Sequence, residues 1–380
     1  MTTVCQLNEC TGCMACVDIC SKGAITIKDG LTAYNAEIDE TKCIGCNLCH
    51  NICQNNNTID MVKPIKWYQG WAENEEIRAG GSSGGAASAL MLAFVESGGY
   101  VCSCIFKDGR FVFDVTNNKD DISKFKGSKY VKSNPQGAYK KVKELLKQGE
   151  KVLFIGLPCQ VAAIKLFVGD KLQDNLYTAD LICHGTPSPQ LLQKFLKQYG
   201  YELEDLKAIK FRVKGKFQVR EGYKGIITTG VTDSYLISFL NGLCYTENCY
   251  ACNYARFNRI SDITLGDSWG SDLPVEEQKR GVSLLLCQTQ KGIDLIEHCG
   301  MNLLDVDIKN AVANNKQLSA PMPKPSAREQ FFNSINKGRK YNKVIFKLYP
   351  KQSFKQQIKK ILIKVKLWGG VSSYSITIKR

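Results

Sequence analysis

The chain has 380 residues, of which 44% are hydrophobic and 23% charged, with 18 cysteines and a formal net charge of +15. This length allows two or three domains with a substantial core. The charge is uneven: residues 330–380 carry 13 basic and no acidic side chains, whereas residues 1–329 carry 38 basic and 36 acidic ones. Since the body is near neutral and no nucleic-acid recognition motif is present, we expect no nucleic-acid partner.

The cellular compartment can be predicted from the cysteine content and from the lack of a recognisable secretory signal or membrane-spanning run in the sequence. The first residues show no basic segment followed by an apolar core, as a secretory signal would. No apolar run approaches the roughly 20 residues of a membrane-spanning helix. Many cysteines in such a chain favour metal ligands over disulfides. We therefore expect a reducing cytoplasm, and peripheral contact of the basic tail with a membrane or an acidic partner is one alternative for that segment.

Eight cysteines form two matching runs within the first 53 residues, each with the spacing C-x2-C-x2-C-x3-C. Bacterial ferredoxins with two 4Fe–4S cubanes have this spacing, and the last cysteine of each run binds the other cluster. The first predicted ligand set is Cys10, Cys13, Cys16 and Cys53. The second is Cys43, Cys46, Cys49 and Cys20. Zinc sites and disulfides, the alternatives, do not explain the three-residue gap. The proline that usually follows each run is replaced by Ser21 and Gln54.

Turn-forming residues and changes in composition divide the chain into three predicted parts. A two-cluster ferredoxin domain at residues 1–62 contains short strands at 24–27 and 36–39. A larger domain at residues 65–330 has an N-terminal part at about 65–150 and a C-terminal part at about 151–330. The remainder, residues 331–380, is the basic tail.

The larger domain opens with a glycine-serine loop at residues 79–85, followed by a predicted helix at 86–96. The free N–H groups of such a helix start suit a phosphate. The loop matches neither the dinucleotide fingerprint nor the P-loop, and a flexible linker that caps a helix is an equal alternative.

Alternating elements follow that loop. Predicted strands at 100–106 and 111–115 meet through Asp108-Gly109, a hairpin sequence. A helix at about 135–148 leads to a strand at 151–155, and a further strand spans 178–182. This alternation predicts an α/β fold with ligands at the C-terminal ends of the strands.

Four further cysteines are candidates for a third site. Cys159 and Cys183 each follow a predicted strand, and Cys249 and Cys252 form a C-x-x-C pair. By itself, that pair suits a redox dithiol, half a zinc site or half a cubane site. Together the four make one more possible cubane ligand set.

The tail contains a helical pattern. Apolar residues recur at i, i+4, i+7, i+8, i+11 and i+14, with lysines largely opposite and Gly369-Gly370 as the stop: Phe354, Ile358, Ile361, Leu362, Val365 and Trp368. Such a helix either docks on its own domain or contacts a membrane surface or an acidic partner.

Six motifs between residues 65 and 330 resemble the coenzyme F420 hydrogenase/dehydrogenase beta-subunit family, in the form with an N-terminal two-cluster ferredoxin. They are Gly80–Gly85, Gly127–Tyr130, Gly156–Gln160, Asp180–Gly185, Cys249–Cys252 and Arg259–Gly270. The resemblance implies an α/β (mixed α+β) flavoprotein core preceded by a small bacterial ferredoxin-like α+β domain.

The resemblance also implies site residues. Cys159, Cys183, Cys249 and Cys252 match a cubane beside the flavin, with Cys244 as the alternative ligand. The implied FAD-binding residues are Gly81, Ser82, Ser83, Gly84, Gly85, Ser128, Lys129, Tyr130 and Asp267. Lys129 is a candidate to offset charge on the flavin or its phosphates. His184 is a candidate proton donor or a hydrogen-bond partner of a ligand cysteine.

Clusters transfer single electrons and a deazaflavin or nicotinamide transfers a hydride, whereas a flavin does both. We therefore expect an iron–sulfur flavoprotein oxidoreductase that moves electrons between 4Fe–4S clusters and, through FAD, a hydride-type acceptor or donor such as coenzyme F420. Its partner would be a redox protein or a small-molecule hydride carrier. The alternative is a non-catalytic ferredoxin-type carrier or adaptor that docks on a partner enzyme.

Overall fold

The computed structural model describes residues 2–57, 59–222 and 224–365. In the N-terminal region, two short helices flank a pair of strands: α1 (Ala15–Ile19), β1 (Ile25–Asp29), β2 (Tyr34–Ile38) and α2 (Leu48–Asn51). β1 pairs antiparallel with β2, and Ile25 lies opposite Ile38. Both strands overlap the predicted ones. Each cysteine run therefore has a helix within it and a strand beside it.

The body alternates strands and helices, as the sequence predicted. Its first half contains β3 (Lys66–Ala72), α3 (Glu75–Gly80), α4 (Ala86–Glu96), β4 (Tyr100–Lys107), β5 (Arg110–Thr116), α5 (Ala138–Lys147), β6 (Val152–Gly156), α6 (Pro158–Val168), β7 (Leu176–Leu181) and α7 (Pro189–Lys197). Its second half contains β8 (Ile209–Val213), β9 (Lys216–Glu221), β10 (Lys224–Gly225), α8 (Ser234–Leu240), β11 (Ile263–Asp267), α9 (Val275–Arg280), β12 (Ser283–Cys287), α10 (Gln290–Glu297), β13 (Met301–Leu304) and α11 (Ile308–Asn314).

Three helices end the described chain: α12 (Arg328–Asn336), α13 (Tyr341–Leu348) and α14 (Pro350–Lys364). Short 3-10 helices occupy several connections, at Lys119–Phe125, Asp170–Asn175, Leu203–Asp205, Glu247–Ala251 and Lys316–Leu318. The predicted tail helix corresponds to α14. Its proposed continuation through Trp368 to Gly369-Gly370 lies outside the described residues.

One mixed sheet organises the body. Its eight strands lie in the order β13-β3-β12-β11-β7-β6-β4-β5. The central strands β4, β6, β7 and β11 are parallel, and antiparallel strands extend the sheet on both sides. All five residues of β6 are buried, as expected for a central parallel strand covered on both faces. At the sheet edge, Asp108 and Gly109 both have positive φ, 49° and 72°, as the predicted hairpin turn requires.

A second, three-stranded antiparallel sheet has the order β10-β9-β8. Its buried residues Phe211 and Val219 pack with α7, α8, α12 and α13 in one apolar core. The other large cores lie against the two faces of the eight-stranded sheet. No helix in the described ranges is long and apolar enough to cross a membrane.

Candidate functional site

The first predicted ligand set surrounds one small, buried cavity. Its members are Cys10, Cys13, Cys16 and Cys53, each at most 9% exposed. The connecting loop turns sharply because Gly12 and Met14 both have positive φ, 70° and 63°. A Cβ on Gly12 would lie 2.7 Å from the Tyr34 ring, so glycine is required there for space as well as for conformation.

The second predicted set surrounds a cavity of its own: Cys20, Cys43, Cys46 and Cys49. Gly45 and Asn47 repeat the positive φ values, at 69° and 61°. Here, however, Cys43 and Cys46 are exposed. The two runs therefore have the same local backbone but different access to solvent.

The loops around these cavities also contain a residue that sequence reasoning did not select. Cys5 is 7% exposed, lines the first cavity, and lies within hydrogen-bonding reach of Cys10 and Cys53. It belongs to neither run, so no spacing pattern marks it. The Asn55 side chain donates a hydrogen bond to its sulfur at 3.7 Å.

The four remaining candidate cysteines also converge. Cys159 lies in the first turn of α6, Cys183 follows β7, and Cys249 lies in the 3-10 helix at Glu247–Ala251 with Cys252 directly after it. Burial, followed by the charges of Cys249 and Cys252, raises the pKa of the Cys183 thiol to about 12. Thiolates in such surroundings need positive charge beside them, which an iron–sulfur core would supply. Cys244 instead lies in the apolar core, with its thiol beside Ser238.

The first and second sets each surround a cavity, and Cys183 of the third set borders the larger cavity described below. Among residues 2–57, 59–222 and 224–365, no group of three or more His, Cys, Asp or Glu side chains is placed to hold a single metal ion. A cubane holds four irons, and four cysteines around a cavity are the donors that it requires. The three sets fit that group by donor chemistry.

The first and third sets are neighbours. Cys13, Cys159 and Cys252 pack in one buried core, and the charge of Cys13 acts on the Cys159 thiol. Buried Tyr254 lies between them, and its hydroxyl donates a hydrogen bond to Gln54 Oε1. Gln54 in turn donates to Thr11 Oγ1 at 3.0 Å. The glutamine that replaces the usual proline thus ties the first cluster loop to the body.

A buried ion pair fixes the other side of the third set. Asp180 at the end of β7 accepts from Arg259 Nη2 at 2.7 Å, and both side chains are almost fully buried. Arg259 Nη1 also donates to the Tyr254 carbonyl at 2.6 Å. The pair therefore connects the strand that precedes Cys183 with the loop that follows Cys252. Both residues belong to the motifs that carried the resemblance.

A cavity of about 420 Å³ lies at the C-terminal ends of β6, β7 and β11, where the α/β pattern places ligands. This volume is in the range of small-molecule sites. Nine of the predicted cofactor and catalytic residues line it: Gly81, Ser82, Ser83, Gly85, Ser128, Lys129, Tyr130, His184 and Asp267. Cys183, from the third cysteine set, lines it as well.

Gly84 does not line the cavity. It lies behind the loop, where an added Cβ would come within 2.4 Å of the Gly70 carbonyl oxygen and 2.8 Å of the Ser283 nitrogen. Its N–H donates to Ser283 Oγ at 3.0 Å. Gly84 is therefore placed to let the loop approach the sheet, and is not a contact for a ligand.

The glycine loop and the segment at 127–130 form adjoining walls. Ser128 N–H donates to Ser82 Oγ at 2.8 Å. Gly85, with φ 89°, begins α4, and the first residues of that helix also line the cavity. A helix start exposed to a cavity offers N–H donors and the positive end of the helix dipole. The arrangement favours an anionic group there.

Lys129 and His184 both line the cavity, where Lys129 is half-buried and His184 is exposed. Lys129 Nζ donates to the Phe125 and Lys126 carbonyls at 2.7 and 3.3 Å, and burial lowers its pKa. The protein atoms around the His184 ring partly desolvate it and so lower its pKa, and the ring lies near that of Phe239. A ligand in the cavity would meet a cationic side chain and an imidazole.

Two basic residues of the site were not predicted from the sequence: Arg212 on β8 and Lys214 directly after it. Arg212 forms a bidentate ion pair with Asp267, at 2.7 and 2.9 Å, and donates to the Ser82 carbonyl at 2.8 Å. Lys214 Nζ donates to the carbonyls of Ser83, at 2.7 Å, and Arg78. Burial, then the charges of Arg78 and Arg212, lowers the pKa of Lys214 to about 8. No motif marks these residues, because the small sheet brings Arg212 to the cavity and Lys214 to the glycine loop from a distant part of the chain.

Known protein families match three stretches of the chain, at residues 9–57, 67–138 and 149–307. Residues 67–138 match the N-terminal part, and residues 149–307 the C-terminal part, of the coenzyme F420 hydrogenase/dehydrogenase beta subunit. The chain belongs to this family. Residues 9–57 of this family member match a 4Fe–4S dicluster domain, which supports iron–sulfur clusters and electron transfer.

Two individual proteins are similar to this beta-subunit family member. One is a subunit of the F(420)H(2) dehydrogenase of Methanosarcina mazei, 22% identical over 289 residues, which span 70% of this chain and 79% of the relative. The other is a chain from a xenon-derivatised structure of the F420-reducing NiFe hydrogenase complex of Methanosarcina barkeri. It has 20% sequence identity and a TM-score of 0.49, and the alignment covers 74% of this chain and 97% of that one.

Proposed function

We propose that this protein is an iron–sulfur flavoprotein oxidoreductase that moves electrons between 4Fe–4S clusters and, through FAD, a hydride-type acceptor or donor such as coenzyme F420. One observation carries the proposal. Cys183 belongs to the third cysteine set and also lines the 420 Å³ cavity. A cluster held there would lie directly beside whatever the cavity binds.

The three cysteine sets form an ordered route. The second set is open to solvent at Cys43 and Cys46. The first set is buried. It adjoins the second, because Cys16 of the first set lies close enough to Cys49 of the second for their charges to interact. Cys13 then adjoins Cys159 of the third set. Electrons would therefore exchange with a redox partner at the second cluster and pass through the first and third to the cavity.

The surface around the second cysteine set is suited to docking of a partner, because it carries exposed apolar side chains. Ile44 and Leu48 lie within the second run and are 63% and 49% exposed. A protein that exchanges electrons must bring its own centre close to this cluster, and apolar contacts around an exposed centre favour such an encounter. The partner class is a redox protein, in keeping with relatives that belong to multi-subunit complexes.

The residues around the cavity fit FAD. The glycine loop and the start of α4 would hold its pyrophosphate, and Arg212 and Lys214 keep that loop in place by hydrogen bonds to its carbonyls. Lys129 would offset negative charge on the flavin or its phosphates. When bound, FAD supplies the conversion between one-electron and hydride transfer. His184 would hold or deliver a proton from the cavity wall.

The substrate of the proposed reaction is a hydride carrier, and coenzyme F420 is the first to test because of the family. Trp269, which lines the cavity, is 40% exposed and so offers an aromatic surface to such a carrier. We assign the proposed domains to residues 1–62 for the clusters, 65–330 for the flavin and third cluster, and 331–380 for the basic tail.

Anaerobic rapid mixing tests this function. The holoprotein is mixed with reduced F420 or, in parallel, with NADH, and the absorbance of flavin and clusters is followed. We expect one donor to reduce the flavin first and the clusters afterwards. Cys252→Ser should leave flavin reduction intact but slow reduction of the N-terminal clusters by about 100-fold, since the third cluster, which would connect them to the flavin, is displaced.

Cys299→Ser is the matched control, because its thiol already donates to the Ile296 carbonyl at 3.0 Å and a hydroxyl keeps that bond. It should behave as the parent protein does. A holoprotein without flavin, or clusters reduced equally fast in Cys252→Ser, would contradict the proposal. The first of these results would favour the non-catalytic electron carrier.

A further inference from the structure

Helix α14 carries a row of large apolar side chains on its outer side. Phe354, Ile358, Ile361 and Val365 are 57%, 42%, 60% and 54% exposed. Their spacing of i, i+4, i+7 and i+11 places them in one stripe, because the helix advances 100° per residue. Four such residues in line form a continuous apolar surface, unlike scattered exposed leucines.

The opposite side of the helix is fixed to the body. Gln356 Oε1 accepts from the Thr232 N–H at 3.0 Å. One turn earlier, Gln352 and Asn241 exchange hydrogen bonds at 2.9 and 3.2 Å. Ile363 packs against Gly230, within 3.5 Å of an added Cβ. The sequence-based alternatives are thus combined: the helix docks on its own domain and still presents its apolar stripe outward.

Lysines border this stripe on both sides. At 100° per residue, Lys351 and Lys355 lie along one edge, and Lys360 and Lys364 along the other. No acidic residue occurs from residue 330 to residue 380. The surface therefore combines an apolar centre with a positive rim that lacks compensating charge on this part of the chain.

We propose that the outer face of α14 binds the surface of a membrane rich in anionic lipid. A helix that lies in the plane of an interface buries its apolar side at the acyl boundary and holds lysines at the level of the phosphates. The stripe and the two lysine rows of α14 have this arrangement. The proposal is independent of the redox reaction, since no residue of the cavity or cysteine sets takes part.

The charge pattern favours a membrane over a second copy of the chain. Two α14 faces would bring lysine rows of the same sign together, and like charges across an interface oppose binding. An acidic protein would satisfy the lysines, but the unbroken apolar stripe would then need a complementary groove. A lipid surface satisfies both features at once.

Vesicle co-sedimentation tests the proposal with the full-length protein. Vesicles of phosphatidylcholine alone are compared with vesicles that also contain phosphatidylglycerol. We expect binding to the anionic vesicles, weaker binding to the neutral ones, and a decrease as salt rises. The double variant Ile358→Gln with Ile361→Gln should bind about tenfold more weakly, since apolar area drives insertion.

Charge is tested separately by Lys355→Gln with Lys360→Gln. The matched control is Lys337→Gln with Arg339→Gln, an equally basic exposed pair on the turn between α12 and α13. The first pair should weaken binding to anionic vesicles, and the control should not. All variants alter exposed side chains, so thermal unfolding should confirm unchanged folding.

Four results would overturn the proposal. These are no binding to anionic vesicles, equal loss of binding in the control pair, self-association that the stripe variant abolishes, and binding to an acidic protein or DNA without binding to vesicles. The second result would assign the effect to total charge, and the third would assign the face to a second copy.

Discussion

The two cysteine runs have the same spacing and the same backbone turns, yet only one is buried. Gly12 and Met14 in the first run, and Gly45 and Asn47 in the second, share φ values within a few degrees. Around Gly12 lie Tyr34 and Lys132, whereas nothing lies within 4 Å of a Cβ on Gly45. Local sequence therefore determines the shape of a cluster loop, and tertiary packing determines whether it faces solvent or the protein interior.

The largest expected difference between the runs concerns the order of electron transfer. Cys16→Ser and Cys46→Ser should each remove one cubane, or about four irons per chain. When a hydride donor reduces the proposed flavin, the remaining N-terminal cluster should become reduced in Cys46→Ser but stay oxidised in Cys16→Ser. Iron analysis and electron paramagnetic resonance measure both effects. The reverse pattern would mean that the exposed cluster is nearer to the flavin.

The glycines offer a second matched pair. Gly45→Ala should cost about 1 kcal/mol, since only the positive φ opposes an alanine there. Gly12→Ala should cost about 2–4 kcal/mol, because the new Cβ also clashes with the Tyr34 ring. Thermal unfolding of the cluster-loaded protein measures both. Equal losses would show that packing around the two loops does not differ in the way described.

A smaller effect is expected where the buried loop meets the body. Tyr254→Phe removes the hydrogen bond to Gln54 and leaves a buried amide oxygen without that donor, at a cost of about 1–3 kcal/mol. Tyr68→Phe, which removes a surface hydrogen bond to Glu297, is the control and should change stability by less than about 0.5 kcal/mol. A similar loss of stability in both variants would show that the Tyr254 hydroxyl does not help to join the first cysteine run to the body.

The smallest expected effect belongs to Cys5. It lies against the first set but outside the run, so Cys5→Ser should leave the iron content unchanged and alter only the surroundings of that cluster. Its electron paramagnetic resonance signal should shift, while that of the second cluster stays constant. Loss of about four irons in this variant would make Cys5 a ligand.

Local patterns in the sequence predicted much of this arrangement. The two runs, the hairpin turn at Asp108-Gly109 and the helix after the glycine loop all depend on residues close in the chain, so spacing and turn chemistry suffice. The cavity at the strand ends follows from the alternation of strands and helices. The ligand assignments and the flavin remain predictions.

The rest depends on contacts between distant segments. Arg212 reaches the cavity, and Lys214 the glycine loop, only because the small sheet folds against them, and no distinctive motif marks this part of the chain. Gly84 was predicted to bind FAD like its neighbours in the loop. Instead, its missing side chain lets the loop pack closely against Gly70 and Ser283. The difference in exposure between the two runs likewise arises from Tyr34 and Lys132, which no spacing within the runs could indicate.

The most direct test is the cofactor content of protein purified without oxygen. Iron, acid-labile sulfide and released flavin are measured per chain. Three cubanes that lead to a flavin predict about twelve irons, about twelve sulfides and one FAD. About eight irons and no flavin would contradict the account, because the body would then serve only as a scaffold for the two N-terminal clusters.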